Sequence, residues 1–143
     1  MNTLESAASA RVLLVDLVGE LGAWWGTAAI GFVGGSLSRR GGQNMIEPAA
    51  YGVAVSFGPN TRNFRDVVAA LVARDAAVVV RDGDELTAFV ETCLRDPDFA
   101  AGLGRRAQTL VGEQLGATVR TVDLLEPLLP AARPAAAQDR HAA

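Results

Sequence analysis

Short runs of β-branched residues alternate along this chain with segments whose apolar residues recur at helical spacing. The runs predict four strands, at residues 11–15, 30–33, 53–57 and 77–80. Nearly all of their side chains are apolar, which is typical of strands that helices cover on both faces. The alternation therefore predicts an α/β fold with a doubly wound parallel sheet, like a Rossmann domain.

The intervening segments have the start and stop signals of helices. Helices are predicted at residues 20–28, 45–51, 64–72, 84–95, 97–115 and 118–129. Asp84 is the predicted N-cap of the fourth helix, and Asp96 with Pro97 begins the fifth, which Gly116 ends.

Composition excludes several functional classes. The net charge of −3 gives no overall attraction to nucleic acid or to anionic lipid. A single cysteine, Cys93, excludes a disulfide scaffold and a cysteine zinc cluster, and its place on an apolar stripe indicates a core residue. The only histidine, His141, lies three residues from the end, so no histidine-centred triad is expected and no metal site is predicted.

The predicted domain occupies residues 11–129. Residues 1–10 are polar and lack the apolar segment of a signal peptide, so we expect a flexible tail. Residues 130–143 are rich in proline and alanine and are expected to be disordered. The apolar stretch at residues 21–37 contains five glycines, which favours a helix followed by a strand over a membrane span.

In a parallel sheet of this kind a ligand binds beyond the carboxyl ends of the strands. That rule selects the loops at residues 16–20, 34–44 and 58–63, which also contain two glycine pairs and several unusual polar residues. The glycine pairs at 34–35 and 41–42 would let a ligand approach the backbone, although a purely structural loop is the alternative. The pattern is neither a Walker loop nor a dinucleotide fingerprint.

Several polar residues in these loops have two open interpretations. Asn44 and Glu47 have the spacing of a capping box, or they contact a ligand, and for Asn44 the two roles are compatible. Arginines and asparagines of the second and third loops are either solvated or bind phosphate or carboxylate: Arg39, Arg40, Asn60, Arg62, Asn63 and Arg65. Trp24 and Trp25 are expected to pack in the core or between domains rather than to stack on a ligand.

Four strings in these regions are familiar in combination, at residues 15–22, 32–37, 41–50 and 57–65. They read VDLVGELG, FVGGSL, GGQNMIEPAA and FGPNTRNFR. In order and spacing they resemble the bacterial 3-deoxy-D-manno-octulosonic acid (Kdo) transferases, over roughly residues 11–115.

The resemblance implies a GT-B glycosyltransferase, with an active site between two Rossmann-like domains. This chain is similar to the C-terminal domain, which binds the nucleotide sugar CMP-Kdo. The implied acceptor is a lipid A precursor at the cytoplasmic face of the inner membrane, in lipopolysaccharide biosynthesis. The acceptor site, the membrane anchor and the general base belong to the family's N-terminal domain, so this chain alone is expected to be soluble and inactive, without a cofactor.

The resemblance also implies roles for particular residues, none of them catalytic. Glu47 would bind the ribose hydroxyls, Asn44 would face the phosphate or the sugar, and Gly19 and Glu20 would line the cleft. The remaining expected contacts with CMP-Kdo are Gly34, Gly35, Ser36, Arg40, Gly42, Gln43 and Asn63.

The chain departs from the family pattern at several positions. Gln43 replaces the usual histidine and Met45 the usual proline, and Leu17, Val18 and Ala29 replace threonine, methionine and aspartate. Gln43 can donate a hydrogen bond but cannot titrate near neutral pH. Two alternatives therefore stay open: a GT-B transferase or epimerase that uses another nucleotide sugar, and a non-catalytic nucleotide-binding remnant.

Overall fold

A three-stranded parallel sheet forms the centre of the computed structural model, which describes residues 10–114 and 116–128. Its strands are β1 (Ile30–Val33), β2 (Ala54–Phe57) and β3 (Val78–Val79). They lie in the order β1-β2-β3, with Ile30 opposite Ala54 and Ser56 opposite Val78. Both pairs are parallel, as predicted, although the last strand is shorter than its apolar run.

Helices alternate with these strands along the chain. They are α1 (Leu21–Trp25), α2 (Ile46–Ala50), α3 (Arg65–Ala73), α4 (Gly83–Arg95), α5 (Pro97–Gln114) and α6 (Ala117–Leu125), and a 3₁₀ helix (Glu126–Leu128) follows. This order of elements confirms the predicted α/β class.

Helices cover the sheet on both faces, and β2 is therefore buried throughout. Val55 and Phe57 belong to one apolar cluster, and Ala54 belongs to a second. Helices α2, α3 and α5 contribute to the first cluster, through residues that include Met45, Ala49, Leu71, Ala107 and Leu110. Helices α4 and α5 contribute to the second, through residues that include Phe89, Cys93, Ala100 and Leu103.

Helix α5 contributes residues to both clusters because it crosses the amino end of β2. Its first half contributes Leu103 to one cluster and its second half contributes Ala107 to the other. Between them Gly104 lies against Gly52, so closely that a Cβ on Gly104 would be 1.9 Å from the Gly52 carbonyl oxygen. Any side chain at this position would separate α5 from the strand.

The prediction of a strand at residues 11–15 is wrong. This segment forms no strand in the structure, and its apolar side chains are exposed, for example Val12 at 85% and Leu14 at 84%. An apolar run forms a strand only where a neighbouring strand edge accepts its hydrogen bonds. Among the described residues β1 pairs only with β2, so nothing pairs with residues 11–15.

Two helices have other boundaries than predicted, and one begins where it was predicted. Asp82, not Asp84, caps α4, because its carboxylate accepts a hydrogen bond from the Glu85 amide at 2.9 Å. Asp96 begins α5 as predicted, accepting a hydrogen bond from the Phe99 amide at 2.9 Å. The first helix was predicted over residues 20–28 but spans only Leu21–Trp25.

The C-terminal region matches the prediction as far as the structure describes it. Gly116 has a φ of +90° and separates α5 from α6, in the role of a helix terminator. Residues 1–9 and 129–143, which include almost all of the two predicted tails, lie outside the described residues. Among the described residues, no helix combines the length and apolarity that a membrane crossing needs.

Candidate binding site at the carboxyl ends of the strands

The loop at residues 34–44 follows β1, and the loop at residues 58–63 follows β2, so both leave the same edge of the sheet. Hydrogen bonds join them directly. The Gly58 amide donates to Ser36 Oγ at 2.8 Å, and the Asn60 amide donates to the Ser36 carbonyl oxygen at 2.9 Å. Two of the three loops selected from the sequence therefore form one surface.

Ser36 is the residue that joins these two loops. Its side chain is fully buried, and its hydroxyl donates to the Val33 carbonyl oxygen while it accepts from the Gly58 amide. Gly58 approaches so closely that a Cβ there would lie 2.5 Å from the Ser36 carbonyl oxygen. Ser36, an expected contact of CMP-Kdo, therefore uses its hydroxyl in two hydrogen bonds within the protein.

Asn63 forms a second connection between the loops. Its side-chain amide donates to the carbonyl oxygens of Arg40 and Gly42, at 3.2 and 3.3 Å. Its backbone amide donates to the Gly41 carbonyl oxygen at 3.3 Å. The structure therefore brings together Arg40, Gly42 and Asn63, three of the expected contacts, with the Asn63 side chain holding the backbone of the first loop.

The first loop closes on itself between its glycine pairs. The Gly42 amide donates to the Gly35 carbonyl oxygen at 3.3 Å, and the Gln43 amide donates to that of Gly34 at 3.2 Å. Gly41 has a φ of +90°, and a Cβ there would lie 2.7 Å from Cγ of Arg62. Glycine is required at Gly41 both by its backbone conformation and by the Arg62 side chain that packs on it.

Asn44 and Glu47 contact each other, but not as a capping box. Asn44 Nδ2 donates to Glu47 Oε1 at 2.9 Å, whereas a capping box would use the Asn44 backbone amide. Asn44 Oδ1 accepts from the Ile46 amide at 3.0 Å, so Asn44 does satisfy the start of α2. Among the described residues nothing donates to Glu47 Oε2, so this oxygen can accept a hydrogen bond from a ligand. The Asn44 side chain that holds the other carboxylate oxygen is half-buried.

Gly19 and Glu20 are not joined to this surface. Both are exposed, and Glu20 precedes α1, where its carbonyl oxygen accepts from the Ala23 amide at 3.0 Å. The Glu20 side chain makes no capping hydrogen bond, and within the described residues no hydrogen bond or ion pair links it to the two loops.

A cavity of about 430 Å³ opens between the two loops and the start of α3. Its lining residues are Arg39, Gly41, Pro59, Asn60, Thr61, Arg62 and Arg65. None of its three arginines takes part in the ion pairs found among the described residues. The sequence left these arginines open between solvated and anion-binding roles. A sequence signal was present, since all three lie in or directly after loops at strand ends.

Of the three residues expected in the core, Trp25 and Cys93 lie there, whereas Trp24 is 38% exposed. Trp25 packs against the first apolar cluster, and its indole Nε1 is buried without a hydrogen-bond partner among the described residues. Cys93 lies in the second cluster, where burial, and to a lesser extent the nearby Asp96 carboxylate, raises the pKa of its thiol. A neutral buried thiol is a poor nucleophile.

Comparison with known proteins identifies homologues of this chain. No family model matches the chain. A 3-deoxy-D-manno-octulosonic acid transferase of Bordetella pertussis is 36% identical over 118 residues, which is 82% of this chain and 28% of that protein. A transferase of the same name from Haemophilus influenzae is 37% identical over 120 residues, again 28% of its length.

The fold agrees with these relationships. The crystal structure of the C-terminal CMP-Kdo binding domain of WaaA from Acinetobacter baumannii matches with a TM-score of 0.69 and 31% identity. This chain is a homologue of the Kdo transferases. The resemblance inferred from the four strings is therefore confirmed.

The chain corresponds to only part of those homologues. It spans little more than a quarter of the two transferases. The structural match covers 73% of this chain and 54% of the solved CMP-Kdo binding domain.

Proposed function

We propose that this chain forms part of the donor-binding domain of a Kdo transferase, and that the loops at residues 34–44 and 58–63 bind CMP-Kdo. The names of the homologous transferases and of the matching CMP-Kdo binding domain support this assignment. The complete enzyme would transfer Kdo to a lipid A precursor at the cytoplasmic face of the inner membrane, in lipopolysaccharide biosynthesis. Within the chain we assign the domain to residues 11–129.

The observation that carries the proposal is the free oxygen of Glu47. Asn44 holds Oε1, which orients the carboxylate, while Oε2 accepts no hydrogen bond among the described residues. An ionised carboxylate only accepts hydrogen bonds, and the two ribose hydroxyls of a nucleotide can both donate. Such charge-assisted bonds are about twice as strong as neutral ones, so Glu47 would anchor the ribose.

The neighbouring loop residues would divide into two groups. Gly34 and Gly35 have no side chains to obstruct a phosphate or sugar, and Gln43 is exposed and can donate a hydrogen bond. Ser36, Gly42 and Asn63 would act through the backbone that their hydrogen bonds and close contacts hold in place. The Arg40 side chain, in the same loop, is exposed to solvent. We keep Gly19 and Glu20 as proposed residues of the cleft.

The proposed reaction is a direct, inverting transfer without a covalent intermediate. The bond between the Kdo anomeric carbon and the CMP phosphate oxygen breaks as the acceptor oxygen attacks, so negative charge accumulates on the departing CMP phosphate. Cationic side chains and helix amino termini stabilise such charge when they are already in position. The general base would come from the N-terminal domain, so this chain alone should give no transfer.

Titration of CMP into the chain, followed by calorimetry or amide NMR shifts, tests the proposal. We expect Glu47→Gln to weaken CMP binding by about 1–3 kcal/mol, because a carboxylate–hydroxyl bond becomes a neutral one. Glu126→Gln is the matched control, since the Glu126 side chain is exposed and makes no ion pair among the described residues, and only its backbone amide is bonded, to the Val122 carbonyl oxygen. Its CMP affinity should equal that of the unsubstituted chain.

Two results would contradict the assignment. An unchanged CMP affinity together with a lower Tm in Glu47→Gln would make Glu47 a purely structural residue. Tighter binding of UMP or a UDP-sugar than of CMP would favour a transferase or epimerase that uses another nucleotide sugar.

A further inference from the structure

The cavity between the two loops is lined by cationic side chains that make no ion pair among the described residues. Three guanidinium groups, from Arg39, Arg62 and Arg65, line a space of about 430 Å³, and no acidic side chain lines it. Asp66, the nearest acidic residue in sequence to Arg65, lines a separate cavity with Ile46 and Val67. Guanidinium groups of like charge around one cavity give it a positive potential, which favours the binding of an anion.

Contacts within the protein hold the Arg62 side chain and the Gly41 backbone in place beside the cavity. Arg62 packs on Gly41, since a Cβ on Gly41 would be 2.7 Å from Arg62 Cγ and 2.9 Å from Nε. Asn63 in turn holds Gly41 through its backbone amide. Part of the entropy that an arginine loses on binding is therefore lost before the ligand arrives, which favours affinity.

Helix α3 adds a second source of positive potential. Arg65 is its first residue, and Phe64 at the N-cap provides no side-chain acceptor for the amides of the first turn. Those amides and the dipole of a nine-residue helix favour a negative group beside Arg65.

We propose that Arg39, Arg62 and Arg65 form an oxyanion subsite that adjoins the Asn44–Glu47 site and binds an anionic group of the same ligand. This inference rests on the proposed function. CMP-Kdo carries two such groups, the carboxylate of the sugar acid and the phosphate of CMP. Guanidinium groups bind both in the same bidentate manner. A cavity of this volume accommodates a group larger than a bare phosphate ion.

Separate titrations with free 3-deoxy-D-manno-octulosonic acid, CMP and inorganic phosphate identify which oxyanion binds. Amide signals of Gly41 and Thr61 report on the cavity, and that of Glu47 reports on the ribose site. The sugar acid shifting only the cavity signals would assign the carboxylate to the arginines. CMP and phosphate shifting those signals, without an effect of the sugar acid, would assign the phosphate.

Arginine variants then test the residues. Arg62→Gln and Arg39→Gln should each raise the Kd of the assigned anion about tenfold, which corresponds to about 1.4 kcal/mol. Arg105→Gln is the control, because Arg105 is exposed on α5 next to Gly104, at the opposite end of β2. Arg62→Lys keeps the positive charge but loses the planar guanidinium that donates two parallel hydrogen bonds. Its affinity for the anion should therefore lie between those of Arg62→Gln and the unsubstituted chain.

The two proposals fail in distinguishable ways. If CMP shifts Glu47 and its affinity depends on Glu47, but no anion shifts Gly41 or Thr61, the oxyanion subsite is wrong and the nucleotide site stands. Equal Kd values for Arg62→Gln, Arg39→Gln and Arg105→Gln would also refute it. If CMP does not bind but the sugar acid binds in an arginine-dependent manner, the subsite stands and the nucleotide assignment fails.

Discussion

The buried hydroxyl of Ser36 gives the sharpest test of how the binding loops are held together. Ser36→Ala removes one donor, to the Val33 carbonyl oxygen, and one acceptor, for the Gly58 amide. Both partners belong to residues that are themselves buried. The substitution is small, so it changes the hydrogen bonding with little change in volume.

The expected loss of stability follows from the groups left behind. A buried donor without a partner costs about 1–3 kcal/mol, and the Gly58 amide would become such a group. A carbonyl oxygen is more tolerant because it has two lone pairs. We therefore expect Ser36→Ala to lower the free energy of unfolding by about 2 kcal/mol, a large part of the 5–15 kcal/mol typical of a domain.

Urea unfolding monitored by circular dichroism measures this difference. Ser38→Ala is the matched control, because Ser38 lies in the same loop, is exposed, and donates to the Gly35 carbonyl oxygen at 3.2 Å. Exposed substitutions of this kind usually change stability by less than about 0.5 kcal/mol. The two variants thus differ in burial and in the number of loops that the hydroxyl joins.

The reasoning would be refuted if Ser36→Ala unfolds at the same urea concentration as Ser38→Ala. A specific loss of CMP affinity with unchanged stability would show instead that the hydroxyl contacts the nucleotide.

Two further predictions concern helix α5 and helix α6. In urea unfolding, Gly104→Ala should lower the free energy of unfolding by about 3 kcal/mol or more, because its Cβ would overlap the Gly52 carbonyl oxygen. Gly112→Ala, on the same helix with nothing within 4 Å, should raise it by about 0.5–1 kcal/mol, and equal effects would contradict the packing. Val122, Leu125 and Leu128 are exposed on α6 and the 3₁₀ helix, so light scattering should show weak self-association that Leu125→Gln reduces. A single monomer mass at all concentrations would refute that expectation.

The parts of the fold that the sequence predicted are those that local physics determines. The apolar runs at residues 30–33 and 53–57 became β1 and β2 because each is buried where helices cover the sheet. Asp96 began a helix as expected, because a cap acts within one turn. Asp84 was misassigned because Asp82 offers the same carboxylate two residues earlier, and only the extended backbone at Asp82 distinguishes them.

Other features depend on contacts between distant residues. The segment at residues 11–15 has the composition of a strand, but composition carries no information on whether a neighbouring edge exists. The three arginines of the cavity come from two loops and a helix start, and their proximity follows from the hydrogen bonds at Ser36 and Asn63. The motif selected two loops that the structure joins into one surface, but it did not separate residues that hold the loops from residues whose side chains stay free.

Asn63, which holds the first loop in place, links the two proposed subsites. Asn63 holds Gly41 through a backbone hydrogen bond, and Arg62 packs on the same glycine. The Asn63 side chain also holds Gly42, two residues before Asn44 in the proposed ribose site. Because one asparagine positions the backbone beside both subsites, a change at Asn63 should weaken both at once, whereas a change at Glu47 or Arg62 should weaken only one. Residues that recur in a motif can therefore control binding without touching the ligand.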